Sequence, residues 1–379
     1  MFSSRGVILP PQGAETRCRS LGHQYLDVKT TSPPASSRRP AVGLAAPTYS
    51  DAWISAVPKV ELHVHHIGAT SADTLADLAA RHPDAGVPTD PQALQAFYEF
   101  TDFDHFLRVY AAISRLLSTP EDVLHLTIGN LAESAAQNVR YVEVTVTPNP
   151  ILTAGVTRDG LVEALNAARE HAAREWAMTV NWILDIPGFT GETAEVVLDL
   201  CERRPPDGLV ALGLGGPETP RPPFAPYFAR ARTLGLGSVP HAGEAAGPES
   251  VRAAVELLRA DRIGHGIRAV EDPELLAGLA EAGIHLEVSL TSNLRTRVVA
   301  SLEKHPLPAL MTAGVPVSIN SDDPPMFGTT LTRELQIAAG LVGSRQIPAL
   351  LRNAIKASFA GEDLKASYLA DLAAAEAHR

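Results

Sequence analysis

The sequence predicts one α/β domain built as a (β/α)8 TIM barrel with extra helices over its C-terminal mouth, and three observations predict it. From Lys59 onward, short β-branched runs alternate with Ala/Leu/Glu/Arg-rich stretches of helical period. Eight such units fit into about 270 residues, the usual size of a closed barrel. The polar residues that carry chemistry collect at the C-terminal ends of the runs, which in a parallel barrel surround one mouth.

Taken in order, the candidate strands are KVELHVH (59–65), YVEVTVTP (141–148), TVNWILDI (179–186) and GLVALGLGG (208–216). The later four are GLGSVPHAGE (235–244), RIGHG (262–266), IHLEVSLTSN (284–293) and VPVSINSDDP (315–324). Between them the spacing predicts helices over 161–177, 250–260 and 273–283. The stretch from Pro91 to Pro120 is too long for a plain connection. With Phe97, Tyr98, Phe100, Phe103 and Phe106 it is expected to add helices that roof the barrel mouth. The segment after Leu331 is expected to complete the outer ring of helices.

Residues 1–50 differ from the rest. They are rich in Ser, Pro, Arg and Gly and show no hydrophobic periodicity, so they read as a disordered extension ahead of a barrel domain at 51–379. The net charge of −11 argues against a nucleic-acid partner, whose phosphates need Lys and Arg. No run approaches 18 apolar residues, so no membrane-spanning helix is expected. Two cysteines, Cys18 and Cys201, cannot build a disulfide framework, and the chain reads as cytoplasmic.

His63-Val64-His65 puts two imidazoles on one face of a strand, because side chains alternate. Alone, such a pair is two histidines on a polar strand face. His241, His265 and Asp322 stand at the equivalent ends of other strands, so the barrel would gather all five. Neutral imidazole nitrogens and a carboxylate suit a borderline cation such as Zn2+, which activates water at neutral pH.

Four segments resemble the motifs of the adenosine/AMP deaminase family of the amidohydrolase superfamily: PKVELHVH (58–65), HAGE (241–244), IGHG (263–266) and SDDP (321–324). They occur in the family's order within residues 51–345. The resemblance implies one Zn2+ per chain, held by His63, His65, His241 and Asp322. It implies that Glu244 donates a proton to purine N1 and that His265 deprotonates or orients the attacking water. It further implies that Asp323 contacts N7 and that the Gly216 backbone N–H meets N3. The partner is then a small adenine nucleoside, whose C6 amino group is replaced by oxygen.

Two departures bear on the substrate. Adenosine deaminases resemble H-L-D-G-A after the paired histidines, with the Asp on the ribose 5′-hydroxyl; here His65-His66-Ile67-Gly68-Ala69 puts Ile67 there. An apolar residue at that place, beside His66, would favour a bulkier or less polar 5′ group. Second, Gly213 to Glu218 reads GLGGPE where adenosine deaminases resemble D-L-A-G-x-E. Both features are similar to the aminodeoxyfutalosine and adenine deaminase branch. They point to 6-amino-6-deoxyfutalosine, a menaquinone precursor with a long benzoate-bearing arm, with 5′-deoxyadenosine and methylthioadenosine as side substrates. The alternatives are adenosine or adenine deamination in purine salvage, and a purine-binding protein without catalysis. Arg295 and Arg297 are candidates for an anionic tail, or else solvated loop residues. Glu218 and Glu334 read as structural, and His23, His82, His105, His125, His171, His285, His305 and His378 as surface or helix residues.

Overall fold

The computed structural model describes residues 48–100 and 103–378. Eight parallel strands pair in sequence order: β1 (Lys59–His65), β2 (Val139–Val146), β3 (Thr179–Ile186), β4 (Leu209–Leu214), β5 (Gly237–Ala242), β6 (Arg262–His265), β7 (His285–Val288) and β8 (Val317–Ile319). The seam between the last strand and the first is sewn just beyond β8. There the His65 N–H donates to Asp322 O at 2.9 Å, and the Asp322 N–H donates to His63 O at 3.1 Å. Side chains extend this seam: Asn320 Oδ1 accepts from the Leu62 N–H, and Glu61 Oε1 accepts from the Ser321 N–H. The (β/α)8 expectation is met. The expected disordered extension, 1–50, falls outside the described residues except at its end, where Tyr49 is buried against Trp53 and Ser50 caps the first helix.

The helices start and stop where local chemistry says they should. Thr119 and Asp122 form a reciprocal capping box on Pro120–Ala136. Thr157 caps Arg158–Trp176. Asp272 caps Pro273–Ala282, which ends on left-handed Gly283. Lys59 pins the entry of β1 by donating to the carbonyls of Ser55, Val57 and Gln137 at 2.9–3.0 Å.

Several strands are shorter than their apolar alternation predicts. The run 284–293 stops as a strand at Val288, and a helix, Leu290–Arg295, follows. The Thr291 N–H turns instead to Glu334, a partner contributed by the helix Leu331–Val342. The second strand begins at Val139, two residues early, because Asn138 takes a left-handed conformation (φ 60°) and ends the preceding helix sharply. The helices Leu331–Val342, Ile347–Ala357 and Glu362–Ala377 complete the outer ring, with Ile347–Ala357 packed over β8 and β1.

The roof also forms as expected, from helices Pro91–Phe97 and Phe103–Ser114. The Tyr98 hydroxyl donates to Thr70 O at 2.7 Å, and Phe106 stacks on Phe327 with ring centroids 5.6 Å apart. Phe100 meets both rings edge-on. The Phe103 side chain lies outside the described residues. Below the mouth, the barrel interior is charged. Arg262 donates to Glu287 and Glu143, and its guanidinium lies over the Phe359 ring at 4.2 Å. No helix among the described residues is long and apolar enough to cross a membrane.

Candidate active site

Five polar side chains from four strand ends that are far apart in sequence meet at the C-terminal mouth. His63 and His65 close β1, His241 lies in β5, His265 ends β6, and Asp322 follows β8. Asp322 Oδ1 is 3.3 Å from His65 Nε2 and 3.5 Å from His63 Nε2, and its Oδ2 is 3.8 Å from His265 Nε2. His65 Nε2 and His241 Nε2 face each other at 3.1 Å. His265 and Asp322 both take left-handed conformations (φ 62° and 66°), uncommon for residues with side chains, so the backbone is strained where it aims them into the mouth. Gly264 lies between the rings, since a Cβ there would come within 2.9 Å of His63 and 3.2 Å of His241.

The donor set fits a metal. His63 Nε2 is buried and has no hydrogen-bond partner, while its Nδ1–H donates to Glu287 Oε2 at 3.0 Å. His241 Nδ1–H likewise donates to Leu214 O at 3.1 Å. Both rings therefore present Nε2 lone pairs to the centre, the usual orientation of metal-binding histidines. Burial keeps His65 down at about 4 and His241 well below its ordinary value, so both are neutral and able to coordinate. Burial also opposes charge on His63, but Asp322 and Glu287 lift it to about 10, so this corner of the site favours a positive charge. Imidazole with carboxylate is a donor chemistry that zinc accepts.

A second layer fixes the residues around this centre. His305 Nδ1 accepts from the Leu307 N–H at 3.0 Å, so its Nε2–H donates to Asn293 Oδ1 at 3.2 Å. The Asn293 amide nitrogen then donates to His265 Nδ1 at 3.1 Å. Neutral His265 therefore carries its proton on Nε2, the nitrogen facing Glu244 Oε2 at 3.6 Å. Glu244 lies on the loop after β5, and Glu218 grips that loop. Glu218 accepts from the backbone N–H groups of Gly243, Glu244, Ala245 and Ala246 and from the Ser250 hydroxyl. Burial opposes charge on Glu218, yet these donors hold its carboxyl below its usual range. Glu244 is the reverse case: burial pushes its carboxyl up. Burial, then the neighbouring Asp322, raises Asp323 well above the ordinary value.

All of this opens into a cavity of about 390 Å³. One wall carries His65, His241, Glu244, His265, Asp322, Asp323 and Gly216. Phe106, Leu107, Phe189 and Phe327 give the cavity its apolar lining, and Tyr110 lines it as well. Among the described residues lining it there is no Lys or Arg. Arg295 lies over the Phe100 ring at 5.3 Å, and neither it nor Arg297 reaches the cavity wall.

Two of the residues expected to contact substrate do not line the cavity. Ile67 is fully buried in the apolar core and presents no surface to a ligand. His66 is buried as well, with Nε2 2.7 Å from Thr127 Oγ1. The chain turns directly after His65, where the His66 N–H donates to Thr145 O, and both side chains pass behind the wall. His285 and His305 are likewise buried in the interior, not on the surface; His285 Nε2 lies 2.8 Å from Ser318 Oγ. Sequence reading missed Glu287, Asn293, His305 and Asp185. Asp185, at the end of β3, lines the cavity, and burial pushes its carboxyl up to about 7. Glu287 and Asp185 did carry a signal, since each is a carboxylate inside an otherwise apolar strand run.

Residues 58–375 match a family model described as adenosine deaminase. The chain is 49% identical over 327 residues to an aminodeoxyfutalosine deaminase of Streptomyces avermitilis, covering 84% of this chain and 91% of that protein. It is 37% identical over 332 residues to an adenine deaminase of Rhodospirillum rubrum, covering 85% and 98%. Among solved structures, an amidohydrolase of Burkholderia ambifaria with bound Zn superposes with a TM-score of 0.78 at 28% identity, covering 86% of this chain and 92% of that one.

Proposed function

The chain belongs to the adenosine deaminase family, hydrolases of carbon–nitrogen bonds in cyclic amidines, and we propose that it deaminates a 5′-modified adenine nucleoside, 6-amino-6-deoxyfutalosine before others. The observation that carries this reading is the meeting of four ligand-type side chains beside Glu244 at one cavity that also has apolar walls. His63, His65, His241 and Asp322 would hold one zinc ion. A cation in that set supplies a nucleophile at neutral pH by acidifying water.

The other roles belong to the protein. C6 of an adenine ring resists attack until the ring is polarised. Glu244, whose carboxyl burial pushes up, would donate a proton to N1, which takes up the charge developing on the ring. Asp323, pushed up by burial and the neighbouring Asp322, would donate to N7, and the Gly216 N–H to N3. Three donors then meet three ring acceptors. Of the two roles open to His265, the Asn293–His305 relay favours orientation: with its proton on Nε2, the ring directs the attacking water by donating to it and does not remove its proton. Water adds at C6; one of its protons passes to the amino group, which leaves as ammonia, and the other returns to Glu244 in place of the one given to N1.

The walls support the substrate choice. The described lining residues offer a phosphate no Lys or Arg, so nucleosides suit the cavity better than nucleotides. The apolar roof suits a carbon arm at the 5′ end, whose own carboxylate would stay at the mouth. Free adenine is the second reading, favoured by the likeness to the Rhodospirillum rubrum protein. Ammonia release from adenosine-type substrates, before and after metal stripping and after zinc is restored, tests the reaction class. Stripped protein with undiminished turnover would refute the metal site.

A further inference from the structure

The mechanism above leaves one buried carboxyl of the cavity without work. Asp185 is 2% exposed, yet it lines the cavity. Its Oδ2 lies 3.4 Å from the Thr147 hydroxyl, which donates to it, and its Oδ1 has no hydrogen-bond partner. An unpaired buried carboxylate oxygen is costly unless something supplies a donor. The neighbouring strand is shaped around it. A Cβ on Gly213 would come within 2.8 Å of Oδ1, and a Cβ on Gly215 within 2.7 Å of Oδ2. Gly213 stands where adenosine deaminases resemble Asp, so a carboxylate from β3 fills room that an Asp side chain on β4 would take.

We propose that Asp185 accepts a hydrogen bond from a sugar hydroxyl of the nucleoside and thereby selects ribosides over the free base. The placement follows from the purine ring. Gly216, next to Gly215, is the residue assigned above to N3, and N3 adjoins C4, whose neighbour N9 bears the sugar. β5, β4 and β3 are neighbours in the barrel, so with Glu244 after β5 at N1 and Gly216 after β4 at N3, Asp185 on β3 comes next around the ring, at the C4 and N9 edge. A hydroxyl brings the donor that Oδ1 needs, whereas free adenine leaves that oxygen unpaired. This inference rests on the deaminase reading.

The test is kcat/KM for wild type, Asp185→Ala and Asp185→Asn with adenosine, 2′-deoxyadenosine and 3′-deoxyadenosine, and with adenine as substrate or competitive inhibitor. Melting curves report whether each variant folds, and the isosteric Asn variant serves if the Ala variant does not. Both variants are expected to lose about 10-fold or more on adenosine, chiefly through KM, and to leave adenine within about twofold. The deoxynucleoside that lacks the contacted hydroxyl should be poor with wild type and no worse with the variants. Equal losses on adenine and adenosine would make Asp185 merely structural and overturn the proposal, as would unchanged adenosine kinetics. Wild type inactive on every compound would remove the deaminase reading itself, a result distinct from either.

Discussion

Replacing Glu218 by Gln should disable Glu244 without touching it. The Glu218 carboxylate holds the loop 243–246 through four backbone N–H groups and the Ser250 hydroxyl, at 2.5–3.2 Å. An amide must turn its NH2 towards one set of these donors. The less costly orientation places it at Oε1, which breaks the Gly243 bond and leaves that buried N–H unpaired; Ser250 can rotate to accept instead. Losing one charge-assisted bond and the charge on the others costs about 2–4 kcal/mol. If that cost falls on the loop geometry that positions Glu244, kcat drops by roughly 30- to 1,000-fold, since 1.4 kcal/mol is a factor of about ten. Because the carboxyl lies below its usual range in the fold, its contribution is full above the unfolded value and is lost only as pH falls through the lowered folded value. The wild-type loop therefore holds through mildly acidic solution. Steady-state kinetics with adenosine, beside zinc content and a melting curve, reads the effect. A variant with wild-type metal content and kcat within threefold of wild type would refute the argument.

Other residues give separable outcomes. His241→Ala should lose metal and turnover together, whereas Glu244→Gln should keep its metal and lose at least about 10²-fold in kcat; near-normal turnover would remove Glu244 as the proton donor. Glu287→Gln should weaken zinc binding by about 10- to 100-fold in a chelator competition, because Glu287 orients His63 and also pairs with Arg262; unchanged affinity would show that His63 needs no such support. Ile67→Asp should lower stability by several kcal/mol in denaturant unfolding and leave substrate preference alone, since it buries an unpaired carboxylate in the core. A stable Ile67→Asp protein with altered preference would put position 67 on the cavity wall.

What could be read from the chain was what lies along it. Strand alternation and the clustering of His63, His65, His241, His265 and Asp322 at strand ends are one-dimensional signals, and the barrel converts them into one site. The partners of these residues are set by register and by contacts across the mouth, which no spacing encodes. Glu287 reaches His63 over 224 positions, and Glu334 reaches Thr291 from a helix on the outer ring. Alternation also outlasted the strand at 284–293, because Ser289 and Asn293 are polar and buried at the cap and inside the helix Leu290–Arg295, not on a strand face. Ile67 is a related case. Its position after His65 implied a neighbour of the substrate, but a turn there sends its side chain into the core.

The central claim is that the cavity is built for an adenine nucleoside extended at its 5′ end. Steady-state kcat/KM for 6-amino-6-deoxyfutalosine, adenosine and adenine, measured by ammonia release on one zinc-loaded preparation, addresses it directly. 6-Amino-6-deoxyfutalosine is expected to lead adenosine and adenine by about 10-fold or more, because only its arm would cover the apolar lining of Phe106, Leu107 and Phe327. Adenine as the best of the three would contradict it.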